Sequence, residues 1–572
     1  SIAREIGGNV IVAVRTHNEM TRFYEDAKKL GLNHVIIGMR SKVHLCNLCL
    51  DNCDLDPEDI KCNGCKYYAE VRKFIDALGS SKEGDLPITP LIRQIEDKST
   101  VFLKHPPDID AKTLWSELDG CPYQWSRIVA KYEWSNDNTL LIVTYPYLFI
   151  SFIRRAIEFG SKPSLVIIDE AHNLDSVNTL LERYISNAII ERVISNLKAA
   201  YDADSLTRTY IINLVDAITK FYNKVESVIK GVKTDGELRH VSIPRLKAAY
   251  NDFTEELNKL GDSSGFTDVL TRASNDVETL INRGRIKRNY VLSFTRTLEM
   301  LRIALRNEEN EWGRLGVYSD GYRLIIKPIS VKKLINGFMN WSLGAPVILM
   351  SGTMPSKPYM RFAWGLDVDE YIDLSKEVKL GNRIVTVYDD VTTRYNQRSD
   401  DMYIKYANRI KGIINGSIGG RVFLIVYPSY SLMKSILRHI GDLGIKQVIS
   451  GVEKSITNVA SQARSSDRMI IHAVARDRFT EGIELIEGGR SMMTHIVFVG
   501  IPYPDVKDDY VKDRIRESGM NLNDYITEHA KIAIKQALGR GVRSSNDAVR
   551  VFFLDYRFKH VHEWRMFIRT IQ

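Results

Sequence analysis

Two acidic residues stand directly after an apolar run in the string VIIDEAH, residues 166–172. The apolar residues predict a buried parallel strand, so Asp169 and Glu170 would lie at the carboxyl edge of a sheet, where α/β proteins bind ligands. Phosphoryl transfer from ATP needs a carboxylate that holds Mg²⁺ and a group that orients and deprotonates the attacking water. Asp169 suits the first role and Glu170 the second. The alternative is a strand that ends in a solvated acidic turn.

Two arginines near the C-terminal end suit the same chemistry. They lie in the string QALGRGVR, residues 536–543. An arginine stays charged and can bind phosphate oxygens through two hydrogen bonds. Arg540 and Arg543 are three residues apart, so we expect both on one face of a helix. The alternative is that they form ordinary surface ion pairs.

The cysteines are clustered in the first quarter of the chain. They are Cys46, Cys49, Cys53, Cys62, Cys65 and Cys121. A cluster of this kind indicates a metal site rather than disulfides. Spacing alone, with two CxxC pairs separated by twelve residues, would suggest a zinc site with four thiolates.

Short β-branched runs alternate with helical segments along most of the chain. The runs at residues 8–14, 34–37, 139–144, 165–168, 323–326 and 346–350 predict strands, as do those at 384–388, 422–426, 469–472, 495–499 and 549–554. Such alternation predicts right-handed βαβ units and parallel sheets, hence two α/β domains. Two segments interrupt the first domain: a loop-rich, cysteine-bearing segment at about residues 41–130 and a helical segment at about residues 176–310.

Composition is that of an ordinary globular protein, with 44% hydrophobic and 26% charged residues over 572 residues. We find neither a membrane-spanning run nor a signal peptide, so we expect a soluble, intracellular protein. The net charge of +8 is compatible with a polyanionic partner and is weak evidence by itself.

DEAH is the string that names one class of superfamily 2 helicases, and nearly the whole chain resembles the XPD-type, Fe–S-containing DNA helicases of that superfamily. Five further strings resemble helicase motifs and follow the family's order: RTHNE (residues 15–19), SGTMP (351–355), YPSY (427–430), FTEGIE (479–484) and VGIPYP (499–504). The resemblance implies an α/β fold with two RecA-like parallel-sheet motor domains. An Fe–S cluster domain and a helical arch domain are inserted in the first motor domain.

The resemblance also implies domain boundaries. Motor domain 1 would comprise residues 1–40, 136–175 and 319–350, the Fe–S domain residues 41–135, the arch residues 176–318 and motor domain 2 residues 351–572.

Site residues carry over from the resemblance by their positions in these motifs. The catalytic residues would be Asp169, Glu170, His172, Gln536, Arg540 and Arg543. Nucleotide binding would involve Asp169, Glu170, Gly482, Glu484, Arg540 and Arg543. The ligands of a [4Fe–4S] cluster would be Cys46, Cys62, Cys65 and Cys121, which leaves Cys49 and Cys53 spare. DNA would contact Arg15, Thr16, His17, Lys42, Tyr123 and Arg127.

The implied activity is ATP- and Mg²⁺-dependent translocation on single-stranded DNA in the 5′→3′ direction, with forked DNA as a substrate and a role in nucleotide excision repair. The protein would act as a monomer without a membrane partner, in the cytoplasm of an archaeal or bacterial cell or in a eukaryotic nucleus. The competing class is a non-catalytic, zinc-containing nucleic-acid-binding protein.

One expected motif is missing from the chain. A phosphate-binding loop, GxxxxGK[ST], should precede the RTHNE string, and no such string occurs in residues 1–572. We therefore expect that the numbering begins after an N-terminal segment that carries the Walker A lysine, and that the chain is inactive without it.

Overall fold

Two parallel β-sheets form around the apolar runs of the sequence, and each belongs to a different unit of the chain. A computed structural model describes residues 7–46, 66–80, 88–109, 111–206, 208–260, 266–282, 285–286, 288–374, 381–453 and 455–571. Unit 1 comprises Ser1–Ser351, Phe362–Leu366 and Val506–Gly519, and unit 2 comprises Gly352–Arg361, Asp367–Asp505 and Met520–Gln572.

Unit 1 contains ten strands among the residues described. They are β1 (Val10–Val14), β2 (Val35–Gly38), β3 (Thr139–Thr144), β4 (Leu165–Ile168), β5 (Arg183–Ile185), β6 (Arg239–His240), β7 (Glu309–Asn310), β8 (Gly313–Ser319), β9 (Leu324–Pro328) and β10 (Val347–Leu349). Five of them form a wholly parallel sheet in the order β10-β4-β1-β3-β2. Every residue of β1 and β3 is buried, as expected for strands covered on both faces.

Helices surround this sheet. Those of unit 1 outside the two inserted segments are His17–Lys29, Pro146–Phe149, Ser151–Arg154, Lys332–Trp341 and Asp509–Ser518, with a 3₁₀ helix at Ala171–Leu181 after β4. The predicted strands of this sheet are confirmed to within a few residues at each end.

The cysteine-bearing segment is helical where it is described, so the expectation of a loop-rich region is wrong there. Its helices are Lys42–Leu45, Lys66–Ser80, Ile88–Lys104, Ala111–Glu117 and Pro122–Ser135. They bury a small core of their own, in which the rings of Phe74 and Trp125 lie 5.0 Å apart and Val71 and Ile95 are buried. The helices Lys66–Ser80 and Ile88–Lys104 are amphipathic, and burial of their apolar faces in this core stabilises them.

The second inserted segment combines helices with a small antiparallel sheet. Its helices are Asn187–Ala203, Tyr210–Lys230, Ile243–Leu260, Phe266–Asn282 and Tyr290–Arg306, which share one apolar core. The helical character is confirmed. The strand predicted at residues 323–326 is present as β9, but it pairs antiparallel with β5 and β8 and takes no part in the parallel sheet.

The helix Asp509–Ser518 belongs to unit 1 although the sequence on both sides of it belongs to unit 2. Arg514 forms an ion pair of 2.7 Å with Asp175 in the 3₁₀ helix after β4. The Tyr510 hydroxyl lies 2.6 Å from Asn178 Nδ2, and the Tyr510 ring lies 3.7 Å from the ammonium of buried Lys327. These contacts anchor the helix in the core of unit 1.

Unit 2 is built on a six-stranded parallel sheet. The strands of unit 2, inside and outside this sheet, are β11 (Asn382–Tyr388), β12 (Val422–Tyr427), β13 (Lys446–Ile449), β14 (Met469–Val474), β15 (Ile486–Glu487), β16 (Arg490–Ser491), β17 (Met493–Phe498) and β18 (Ala548–Leu554). The sheet has the order β11-β18-β17-β12-β14-β13, and β15 and β16 form a separate hairpin. The five predicted strands are confirmed and β13 is an addition.

The helices of unit 2 are Lys357–Tyr359, Asp400–Gly416, Tyr430–Ile440, Ile456–Ser465, Arg478–Glu481, Leu522–Gly541, Arg557–His560 and His562–Ile571. In the part of the chain that is described, no helix has the length and apolar character needed to cross a membrane.

Candidate active site

The carboxyl ends of β1, β4 and β10 meet at one edge of the sheet in unit 1. The amide of Asp169 donates to the carbonyl of Ala13 at 2.9 Å, and the amide of Ala171 donates to the carbonyl of Met350 at 2.9 Å. These bonds place the DEAH string between the RTHNE string after β1 and Ser351 after β10. The prediction that both acids lie at the carboxyl edge of a parallel sheet is confirmed.

Glu170 has a left-handed backbone, with φ of 47° and ψ of 42°. For a residue with a Cβ atom this conformation costs about 1–2 kcal/mol, so surrounding contacts must enforce it. Part of this support comes from Asn173, whose amide and side-chain Nδ2 both donate to the Glu170 carbonyl, at 2.9 and 3.1 Å. Asn173 therefore helps to hold this left-handed turn.

Three side chains from two strand ends form a compact triangle. His172 Nδ1 lies 2.7 Å from Ser351 Oγ and 3.2 Å from Glu170 Oε2, and Ser351 Oγ lies 3.4 Å from the same carboxylate oxygen. The His172 side chain is 9% exposed, whereas that of Glu170 is 42% exposed. The triangle therefore holds one carboxylate oxygen of Glu170 and leaves the carboxylate accessible to a small reactant.

Asp169 titrates far above its ordinary range. Burial, followed by the neighbouring charge of Glu170, raises the pKa of Asp169 from 3.8 to about 6. A carboxylate pair in which each charge destabilises the other suits a divalent cation, because the cation neutralises both. The donor set of this edge therefore fits Mg²⁺.

We expect Asp169→Asn to raise the stability of the protein at neutral pH in Mg²⁺-free buffer. The folded pKa of about 6 exceeds the unfolded value of 3.8, so the folded state bears the full cost of the charge only above pH 6 and none below 3.8. The difference in urea midpoint between variant and wild type should therefore shrink as the pH falls from 7 to 4. Asp119→Asn, at a carboxylate that is 95% exposed, is the control. A difference that does not depend on pH would contradict this assignment.

The RTHNE string forms the first turn of the helix His17–Lys29. Thr16 caps the helix, and the Glu19 carboxylate accepts from the amides of Arg15 and Thr16, at 2.8 and 3.0 Å. Glu19 was not predicted as a site residue, although the spacing Thr-x-x-Glu is the known signature of such a capping box. The result is a rigid turn beside the DEAH edge.

His17 contacts a histidine of the cysteine-bearing segment. Its ring lies edge-on to that of His44, with 4.1 Å between centroids. Burial, then His44 and Arg40, lower the pKa of His17 to about 4, so His17 is neutral at physiological pH. Any contact of His17 with a phosphate would therefore rest on a hydrogen bond and not on charge.

The two described cysteines of the predicted ligand set lie at helix ends that pack together. Cys46 follows the short helix Lys42–Leu45 and Cys121 precedes Pro122–Ser135; both are buried. Cys62 and Cys65 lie outside the described residues, as do Cys49 and Cys53. Within the described ranges, no group of three or more potential ligands is arranged to hold a metal ion.

Of the predicted DNA contacts in this segment, Lys42 lies in the short helix and Tyr123 and Arg127 lie one turn apart in the helix Pro122–Ser135. Arg127 Nε is buried and has no hydrogen-bond acceptor among the residues described. Such a group is costly unless something binds it.

In unit 2, the helix Leu522–Gly541 contains Gln536, which is buried, and Arg540. Arg543 lies beyond the end of the helix, since Val542 is extended, with φ of −133° and ψ of 112°. The prediction that both arginines share one helical face is therefore wrong. The helix ends here because Asp547 accepts from the amides of Arg543 and Ser544, at 2.7 and 2.8 Å.

Arg543 meets the FTEGIE string of the same unit. Its guanidinium lies 3.1 Å from Glu484 Oε1, and Gly482 ends the short helix Arg478–Glu481 two residues earlier. Unit 2 thus brings together Gly482, Glu484 and Arg543. Asp169 and Arg540 lie in different units, so their convergence on one nucleotide stays a prediction.

Unit 1 has an acidic DEAH turn at the carboxyl edge of its parallel sheet, and unit 2 has an arginine at the end of a helix. Together these features define an α/β protein of superfamily 2, with two RecA-like units. Residues 12–189 match the DEAD_2 family and residues 416–572 match the family described as Helicase C-terminal domain. The chain belongs to the XPD-type superfamily 2 helicases, as the resemblance predicted.

Individual relatives agree with this assignment. The chain is 26% identical over its full length to ATP-dependent DNA helicase XPD of Sulfolobus acidocaldarius, and covers 91% of that protein. It is 22% identical over 82% of its length to ATP-dependent DNA helicase CHL1 of Meyerozyma guilliermondii, but spans only 60% of that protein. A solved XPD helicase structure superposes with a TM-score of 0.69 at 25% identity, covering 99% of this chain and 91% of the other. These matches do not favour the alternative of a non-catalytic zinc protein.

Proposed function

We propose that this chain is the motor of an ATP-dependent DNA helicase that translocates on single-stranded DNA in the 5′→3′ direction and acts in nucleotide excision repair. The observation that carries the proposal is the triangle of Glu170, His172 and Ser351 at the carboxyl edge of the unit 1 sheet. It supports a general base that is held by its neighbours yet remains accessible. The names of the relatives support the DNA helicase activity, and the family resemblance supports the direction and the repair role.

In this proposal Glu170 orients and deprotonates the water that attacks the γ-phosphate. Asp169 would hold Mg²⁺, which neutralises charge on the phosphate oxygens when bound. The proton of the water passes to the Glu170 carboxylate, and His172 and Ser351 keep that carboxylate in place. Arg540 and Arg543 are assigned to the γ-phosphate, with Gln536, Gly482 and Glu484 as further residues of the nucleotide site.

The turn after β1 is proposed to follow the phosphates of the DNA strand. The rigid capping box presents the exposed side chains of Arg15 and Thr16, with His17 beside them. Lys42, Tyr123 and Arg127 would extend this path past the cysteine-bearing segment. The positive charges of Lys42 and Arg127 suit phosphate contacts, and the Tyr123 ring suits stacking on a base.

The decisive measurement is hydrolysis of ATP by the full natural protein with and without single-stranded DNA, followed by unwinding of forks that carry only a 5′ or only a 3′ tail. Residues 1–572 contain no GxxxxGK[ST] string, so we propose that they do not hydrolyse ATP by themselves. Stimulation by single-stranded DNA and unwinding of the 5′-tailed fork are expected. A full-length protein that binds DNA without hydrolysing ATP would refute the proposal.

We further propose that Cys46, Cys62, Cys65 and Cys121 hold a [4Fe–4S] cluster. Two observations support the fit: Cys46 and Cys121 are buried, and they lie at the ends of helices that pack on one another. Buried thiolates are the ligands that iron–sulfur clusters use, and burial protects the cluster from solvent. The cluster would fix the cysteine-bearing segment and, with it, the position of Lys42 and Tyr123.

We expect Cys121→Ser to abolish the broad absorbance at about 400 nm and to remove the bound iron, because a four-thiolate cluster loses one of its ligands. Absorbance and iron content of protein purified without oxygen give the measurement. Cys53→Ser is the matched control, since Cys53 is spare in the proposed ligand set, and it should retain both signals. A colourless wild-type protein that contains zinc would overturn the cluster.

A further inference from the structure

Tyr145 lies beneath the DEAH turn and has no part in the motifs discussed so far. It follows β3 directly, is 4% exposed, and donates its backbone amide to the carbonyl of Val14 at 3.0 Å. Its ring packs edge-on against Phe149, with 5.7 Å between centroids. Tyr145 is therefore held at the carboxyl ends of β1 and β3, where the strands reach the site.

The hydroxyl of Tyr145 touches the backbone of both acids. It lies 2.5 Å from the carbonyl oxygen of Asp169 and 2.9 Å from that of Glu170. A phenol carries its proton at neutral pH, so the hydroxyl is a donor to these two carbonyls. One phenolic donor thus bridges two successive carbonyls at the only left-handed residue of the DEAH string.

This contact explains how Glu170 keeps its left-handed backbone. The two carbonyl oxygens define the planes of the peptides on either side of the Glu170 Cα atom, and those planes set the direction of its side chain. Asn173 supplies the other two donors to the Glu170 carbonyl, but it lies on the same turn and moves with it. Tyr145 comes from a separate strand and fixes the turn to the sheet.

We propose that Tyr145 is a positioning residue for Glu170: its hydroxyl holds the left-handed turn that directs the carboxylate at the attacking water. The inference rests on the proposed function, in which Glu170 is the general base. Tyr145 then holds the backbone of Glu170, and His172 and Ser351 hold its side chain.

The test is Tyr145→Phe in the full natural protein. We expect kcat for DNA-stimulated ATP hydrolysis to fall on the order of tenfold to hundredfold, because displacement of a general base from its position lowers the reaction rate by about that factor. KM for ATP and the Kd for single-stranded DNA should stay unchanged. Tyr406→Phe is the matched control, because Tyr406 is equally buried and its hydroxyl donates to the single carbonyl of Leu554 at 2.9 Å, in unit 2.

Two further readouts separate positioning from general destabilisation. In a Glu170→Gln background, Tyr145→Phe should cause no further loss of kcat, since the base it positions is already gone. Hydrogen exchange of the peptide spanning residues 169–175 should be faster in Tyr145→Phe and unchanged in Tyr406→Phe. Unchanged exchange would overturn the inference whether or not ATP is hydrolysed. A wild-type protein without hydrolysis, combined with faster exchange in Tyr145→Phe, would instead refute the proposed function and leave the structural role of Tyr145 supported.

Discussion

Glu170→Gln should lower kcat for ATP hydrolysis by about 10²–10⁴-fold, the usual contribution of a positioned general base. Glutamine has nearly the shape of glutamate and can still accept a hydrogen bond from Ser351, so the turn and the triangle with His172 should persist. The variant cannot take a proton from water. ATP and single-stranded DNA should therefore still bind, while hydrolysis and unwinding slow by the same factor.

Glu158→Gln provides the matched control. Its side chain is 40% exposed, close to the 42% of Glu170, and it pairs with Arg154 in the same unit, outside the proposed site. Hydrolysis by this variant should equal that of the wild type. Hydrolysis by Glu170→Gln above about a tenth of the wild-type rate would rule out the role of Glu170 as base.

Arg540→Ala is expected to reduce kcat about 10³-fold or more, the effect of removing an arginine that stabilises charge on the transferred phosphoryl group. The substitution keeps the backbone carbonyl of residue 540, which accepts from Ser491 Oγ at 2.9 Å at the end of the helix, so this contact should persist in the variant. Arg540→Lys should recover only part of the loss, since an ammonium cannot form the planar pair of hydrogen bonds.

Lys535→Ala serves as its control, as an exposed cation on the same helix. It should leave hydrolysis unchanged. Pre-steady-state measurement of phosphate release separates the chemical step from product release. An Arg540→Ala variant that retains normal single-turnover hydrolysis would show that Arg540 does not act on the γ-phosphate.

The sheets of both units follow from the sequence because buried parallel strands are continuous apolar runs. All five strands of the unit 1 sheet and five of the six in unit 2 could be placed this way. β13 could not, because it lies at the edge of its sheet and half of its residues, Lys446 and Gln447, are polar. The DEAH turn was placed correctly for the same reason: its acids end a run of this type.

The details that position the site depend on residues far apart in the sequence. A left-handed backbone conformation is usually predicted from a glycine or an asparagine, but here the residue is Glu170. Its conformation is imposed by hydrogen bonds from Tyr145 and Asn173. Arg543 lies outside the helix because the amides of Arg543 and Ser544 donate to the Asp547 carboxylate. The spacing of the arginines does not predict these hydrogen bonds. Contacts of this kind are set by tertiary structure and override local periodicity.

The helix Asp509–Ser518 completes unit 1 with residues that follow most of unit 2 in the sequence. A polypeptide that stopped at Ser351 would possess every strand of the unit 1 sheet, yet Asp175 would lose its guanidinium partner and Lys327 its aromatic cover. Lys327 would keep its ion pair with Glu182 at 2.8 Å, but the loss of the other contacts would lower the stability of unit 1. We therefore expect a fragment that ends at Ser351 to be less stable than unit 1 in the whole chain, because it lacks these contacts.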